Sequence, residues 1–273
     1  MALMNGTQKM HPREALRQKF TYGWPTYGLW VTLESPSITE IAGHLGVDWV
    51  VIDAEHGHLD LKNVLEHVRV ANLMNLVCFV RVQEIQQGLI KRALDIGADG
   101  ILVPQVRSAE EVATAVRFAK YPPEGIRGIG AERSTRWGMG MVNCTRSAND
   151  SVMVIPLMET VEAGDAIEDI LDVPGVDALF FGPADYSASA GFLGEWEGPG
   201  VAERLLEIQA RIRARRIPTG IVATGHENLQ LRKQQNFQMI ALGIDAGLLI
   251  RAARGAMEAA GIAPPEQAWQ CKI

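Results

Sequence analysis

The residues of this chain that are equipped for chemistry stand directly behind short apolar runs. Trp49–Ile52 leads into Asp53-Ala54-Glu55-His56-Gly57-His58, and Val77–Val80 leads into Arg81. Val152–Met158 is followed by Glu159, Ala178–Phe181 by Gly182-Pro183-Ala184-Asp185, and Met239–Gly243, one residue further on, by Asp245. Glu159 and Asp185 are hard oxygen donors with no Cys and few His nearby, a set suited to Mg²⁺ or Mn²⁺, with Co²⁺ a further candidate, rather than to zinc. Two carboxylates held close repel unless a cation lies between them. The plainer alternative is that each caps the helix that follows. A reaction that passes through an enolate needs either an imine-forming lysine or a metal ion. Lys9, Lys19, Lys62, Lys91, Lys120, Lys233 and Lys272 all fall away from the run ends, which leaves the metal route. His56 can move protons near neutrality, since an unperturbed imidazole titrates at about 6.5. His58 competes for that role. Arg81 is suited to a bidentate clamp on a carboxylate, with a structural ion pair as the alternative.

These residues need strands to carry them. Eight runs read as strands: Gly28–Thr32, Trp49–Asp53, Val77–Val82, Gly100–Val103, Val152–Met158, Ala178–Phe181, Thr219–Ala223 and Met239–Gly243. They are apolar on both faces, as parallel strands are when helices cover them. Helical segments alternate with them. Ser37…Glu40 and Ser108…Glu111 read as capping boxes, Asp60 caps a segment through Val70, and Glu227–Gln235 is a further helix. This alternation predicts a (β/α)₈ TIM barrel, with an open doubly wound sheet as the alternative. In a barrel the C-terminal strand ends share one rim, so the five charged ends converge. The stretch Tyr121–Asp150, rich in Gly and Arg, reads as irregular and as a lid or interface. A single domain is expected over 1–273, with an N-terminal extension 1–27 and a tail 264–273.

Bulk properties narrow the class. The 273 residues carry a net charge of −6, which argues against nucleic acid as partner. The three cysteines, Cys78, Cys144 and Cys271, lack metal-type spacing and cannot all pair, which predicts a reducing, cytoplasmic setting. The N-terminus lacks the apolar core of a secretory signal, and no run approaches the roughly 20 residues that cross a bilayer.

The motifs together resemble the HpcH/HpaI family of class II pyruvate aldolases. The resemblance runs from about Gly28 to Ala260. It rests on Asp48–His56, Val80-Arg81-Val82, Tyr121–Gly128, Met158-Glu159-Thr160 and Phe181–Ser187. It implies a barrel of the phosphoenolpyruvate/pyruvate-binding type that cleaves a 4-hydroxy-2-oxo acid reversibly to pyruvate, or an analogue, and an aldehyde. By the same resemblance Glu159 and Asp185 are metal ligands, Arg81 grips the oxo acid, and His56 is the acid/base residue paired with Asp95. The backbone N–H groups of Ala184 and Asp185 receive the substrate carboxylate, Trp30 walls the pocket, and Asp53 stands behind the metal's waters. The expected assembly is a homo-hexamer, a trimer of dimers, in which the last helix packs on a neighbour. Leu248–Ala260 has apolar residues on more than one face, as such a helix requires. Two other activities share the scaffold: oxaloacetate decarboxylation or C–C bond formation of the macrophomate synthase type, and a non-catalytic metal-dependent binding barrel. One departure from the family pattern stands out. Leu157 occupies the place of a usual Gln, and Gln105 is a candidate substitute for its hydrogen bond.

Overall fold

A computed structural model of the chain describes residues 10–196 and 198–262. Eight parallel strands close into a barrel in sequence order: β1 (Thr26–Val31), β2 (Trp49–Asp53), β3 (Val77–Arg81), β4 (Gly100–Val103), β5 (Met153–Met158), β6 (Leu179–Phe181), β7 (Thr219–Val222) and β8 (Met239–Ile244). Side chains alternate across each strand, so one set faces the covering helices and the other fills the barrel. The inner set includes Trp49, Phe79, Leu102, Ile155, Leu157 and Phe180. Bulk on one strand is matched by its absence on the next. A Cβ on Gly28 would stand 2.1 Å from the Trp49 ring, and one on Gly220 would stand 2.3 Å from Phe180. The interior is therefore a packed core, and chemistry is confined to its two mouths.

The N-terminal mouth is closed by a helix, α1 (Pro12–Thr21), within the segment expected to be a mere extension. Proline at its first position suits a helix start, and His11 caps it by accepting from the Arg13 N–H at 3.3 Å. Leu16, 2% exposed, enters the inner core. Asp48, Asp99 and Asp177 precede the even-numbered strands β2, β4 and β6. Each accepts a backbone N–H from the preceding strand or its start: Tyr27 at 3.0 Å, Cys78 at 2.8 Å and Val154 at 2.8 Å. Each also meets a cation of α1. Lys19 pairs with Asp48, Arg13 with Asp99 at 3.2 Å and Arg17 with Asp177 at 2.7 Å.

Three local expectations change. The helix Ser37–His44 is capped by Pro36 without a side-chain bond, so Ser37 lies inside it. Ser108 does accept from the Glu111 N–H at 3.3 Å, but Glu111 returns its bond to Arg107, one residue outside a closed box. The stretch Tyr121–Asp150 is only partly irregular. A 3₁₀ turn spans Arg133–Thr135 and an α-helix spans Met141–Ser151, which buries none of its residues and so displays no apolar stripe in sequence. The Asp60 cap holds as a reciprocal box with Asn63, on a helix Leu61–Leu73. The final helix is Asp245–Ala259, with Leu248, Leu249 and Ile250 exposed at 36%, 64% and 50%. The tail 264–273 lies outside the described residues.

Candidate active site

At the C-terminal mouth the strand ends bring Asp53, Glu55, Arg81, Glu159 and Asp185 into one electrostatic neighbourhood. Asp53, 1% exposed, is its hub. One oxygen accepts from Arg81 Nε at 3.0 Å and from the backbone N–H groups of Glu55 and His56, each at 3.1 Å. The other accepts from Trp30 Nε1 at 2.9 Å and from Arg81 Nη2. Five protein donors thus fill a carboxylate expected to stand behind metal waters. Its role in this geometry is to fix Arg81, Trp30 and the turn that carries His56. Arg81 Nη1 also meets Glu55 at 2.7 Å, and the guanidinium lies 5.0 Å from the Trp30 ring centroid. The structural ion pair and the substrate clamp are therefore compatible. Asp53 takes Nε and Nη2 and Glu55 takes Nη1, which leaves one N–H on each Nη for a ligand.

Glu159 follows β5 directly and is 2% exposed. Its Oε1 accepts from the Gln105 backbone N–H at 2.5 Å. Gln105 reaches that position through a left-handed backbone with φ 53°, a geometry that its residue type does not announce. Its side chain is exposed, and its observed tie to the site is through the backbone. Glycine at 182 matters here, because a Cβ there would stand 3.0 Å from Glu159 Oε2. Burial raises the Glu159 pKa to about 7; the Gln105 bond and Arg81 oppose that rise, while the charges of Asp185 and Glu55 add to it. Burial likewise raises Glu55, against the pull of Arg81. Asp185 lies in the first turn of the helix Pro183–Ser189, and among the described residues its carboxylate has no bonded partner. The Ala184 and Asp185 N–H groups belong to the same unpaired first turn.

The acid/base pair is not assembled within the chain. Asp95 is the last residue of the helix Gln87–Asp95, which descends from β3, and therefore sits toward the N-terminal end of the barrel. It pairs with Arg127 at 2.8 Å. The His56 imidazole has no bonded partner among the described residues. His58 is exposed and meets Glu34 at 3.4 Å. Asp245, the fifth charged strand end, proves structural. It accepts from Thr32 N, Thr32 Oγ1 and Leu33 N at 2.8–3.1 Å and so ties the β1 loop to β8. Leu157, at the position where the resemblance implies a Gln, is buried in the inner core and serves packing.

Among the described residues no three His, Cys, Asp or Glu are grouped to hold a metal. Glu159 with Asp185 still fits a hard divalent cation. Such ions commonly take one or two carboxylates and complete their shell with water and substrate oxygens. Glu159 is buried, and the Asp185 and Glu55 charges add to rather than offset its own, a setting that a divalent cation would suit.

The chain is similar to several known proteins over most of its length. A 4-hydroxy-2-oxovalerate aldolase of Rhodococcus jostii is 34% identical over 241 residues, covering 88% of this chain and 93% of its own. A 4-hydroxy-2-oxovalerate aldolase of Novosphingobium aromaticivorans is 38% identical over 220 residues, covering 80% and 84%. The crystal structure of a HpcH/HpaI aldolase/citrate lyase family protein from Burkholderia cenocepacia superposes with a TM-score of 0.86 at 33% identity, covering 90% of this chain and 99% of that one. The family model for HpcH/HpaI aldolase/citrate lyase matches residues 26–252, and the chain belongs to that family.

Proposed function

We propose that this carbon–carbon lyase cleaves a 4-hydroxy-2-oxo acid reversibly to pyruvate, or a close analogue, and an aldehyde, with a divalent cation at Glu159 and Asp185. The observation that carries the reading is Glu159, buried beside two further carboxylates at the catalytic mouth of the barrel, with its pKa raised to about 7. A bound Mg²⁺, Mn²⁺ or Co²⁺ would supply positive charge where the enolate oxygen develops. The chain's own groups do the rest. Arg81, fixed by Asp53 and backed by Trp30, offers its free N–H bonds to the oxo acid. The Ala184 and Asp185 N–H groups face an anion from the helix start. His56 moves the proton of the 4-hydroxyl, and its neighbour Asp53 sets the turn that carries it. The Asp95 partnership implied by resemblance fits only as a contact between copies of the chain, and the exposed apolar face of Asp245–Ala259 supports the proposed hexamer. Among the described residues no helix is long and apolar enough to cross a membrane, and the free thiols of Cys78 and Cys144 support a reducing, cytoplasmic setting.

The test is aldehyde-dependent consumption of pyruvate. It should disappear with EDTA and return with Mg²⁺ or Mn²⁺. Turnover unaffected by EDTA would contradict the metal assignment. Release of CO₂ from oxaloacetate faster than any aldol cleavage would shift the function to decarboxylation.

A further inference from the structure

A second candidate site lies at the opposite end of the barrel. The turns entering β3, β4 and β5, the start of α1 and the segment 133–151 enclose a cavity of about 560 Å³. Four guanidinium groups line it, from Arg13, Arg127, Arg133 and Arg136, against a single carboxylate, Asp99. That carboxylate is already taken by Arg13 at 3.2 Å, and Arg127 is matched by Asp95 at 2.8 Å. Neither Arg133 nor Arg136 is bonded to a carboxylate among the described residues, although the Asp99 charge favours Arg133 from further off. Arg133 instead donates to the Ile96 carbonyl at 3.0 Å and to Asn72 Oδ1 at 2.9 Å. Its position is built into the chain. Gly97, with φ +98°, lacks the Cβ that would stand 2.3 Å from Arg133 Nη1. Burial and the nearby Arg69 guanidinium push the Arg133 pKa down, so its charge is held at a cost.

Arg133 and Arg136 thus bring guanidinium charge with no bonded carboxylate to the cavity, the donor chemistry that receives closely spaced anionic oxygens. The volume falls within the range of about 300–1,000 Å³ typical of small-molecule sites and exceeds the needs of a bare inorganic ion. We propose that this cavity binds a small organic polyanion, a phosphate ester or a polycarboxylate, at the end of the barrel opposite this chain's own Glu159 and Asp185.

The full-length enzyme, loaded with Mg²⁺ and saturated with pyruvate, should be titrated calorimetrically with glycerol 3-phosphate, tricarballylate and inorganic phosphate. At least one organic anion should bind saturably and more tightly than inorganic phosphate, and the tighter of the two assigns the class. Arg133→Gln and Arg136→Gln should each weaken that binding about tenfold, the loss of a charge-assisted contact. The Arg136 side chain is exposed and bonds to nothing among the described residues, so Arg136→Gln reads the site without disturbing the fold. Glu159→Gln should leave the affinity unchanged. Absence of saturable binding by every probe, undiminished binding in Arg136→Gln, or loss of binding in Glu159→Gln would each overturn the proposal.

Discussion

The two mouths of the barrel treat their carboxylates differently. At the N-terminal mouth Asp48, Asp99 and Asp177 each hold a backbone N–H and one cation from α1. At the C-terminal mouth Asp53 and Glu55 share Arg81, while Glu159 and Asp185 have no bonded cation among the described residues. Burial raises the pKa of Asp99, Asp177 and Glu159 and a cation opposes the rise at each, but only at Glu159 do neighbouring carboxylates, Asp185 and Glu55, add to it. A matched carboxylate closes a fold, and an unmatched one leaves room for a ligand. The difference between stability and function is visible here as a difference in charge balance between two ends of the same strands.

The comparison breaks most readily at Glu159 and Asp185. Glu159→Gln or Asp185→Asn should leave a folded barrel with kcat/KM lowered by about 10³-fold or more, since each removes charge that holds the metal. Undiminished turnover in metal-replete buffer for both variants would remove the ligand assignment. His56→Ala should lower kcat by about 10²-fold with little effect on pyruvate binding, the usual worth of general acid–base help. His58→Ala, on an exposed side chain paired only with Glu34, should change kcat less than about threefold. Equal losses in the two histidine variants would leave the proton unassigned to His56. The smallest effect belongs to the other mouth. Asp99→Asn keeps a group that accepts from Cys78 N–H but loses the Arg13 pair, and should cost about 1 kcal/mol in denaturant unfolding with kcat/KM unchanged. A loss of activity there would mean that the two mouths are not separable.

Much of this arrangement is legible in the residues themselves. The strands are readable because each is an unbroken apolar run, and the rim because five such runs end in charge. What escapes reading is set by contact at a distance. The α1 residues, PREALRQKFT, are too polar to announce a helix that reaches the core, and only Leu16 is buried. Its three basic residues that meet aspartates look like ordinary surface charge until the strand-entry carboxylates are seen beneath them. Gln105 is legible as a candidate hydrogen-bonding side chain, but its contribution is a backbone N–H in a left-handed turn, which its residue type does not announce. Asp245 resembles a site residue because a carboxylate at a strand end reads the same whether its partners are a ligand or the Thr32 loop. Asp95 is singled out only by the family resemblance, and the helix that carries it runs away from His56.

The most direct test of the charge-balance account is proton release on metal binding. Glu159 has a pKa of about 7 in the fold without metal, well above 4.5, so its neutral form favours folding below about pH 4.5 and that contribution is lost as pH rises through 7. A cation must therefore displace its proton in slightly acid solution. Mn²⁺ should be titrated into the metal-free enzyme at about pH 6 and about pH 8.5, each in two buffers of different ionisation enthalpy. The account predicts close to one proton released per ion in the acid titration, little in the alkaline one, and neither tight binding nor release in Glu159→Gln. Binding in the acid titration without proton release, or unchanged in Glu159→Gln, would contradict it.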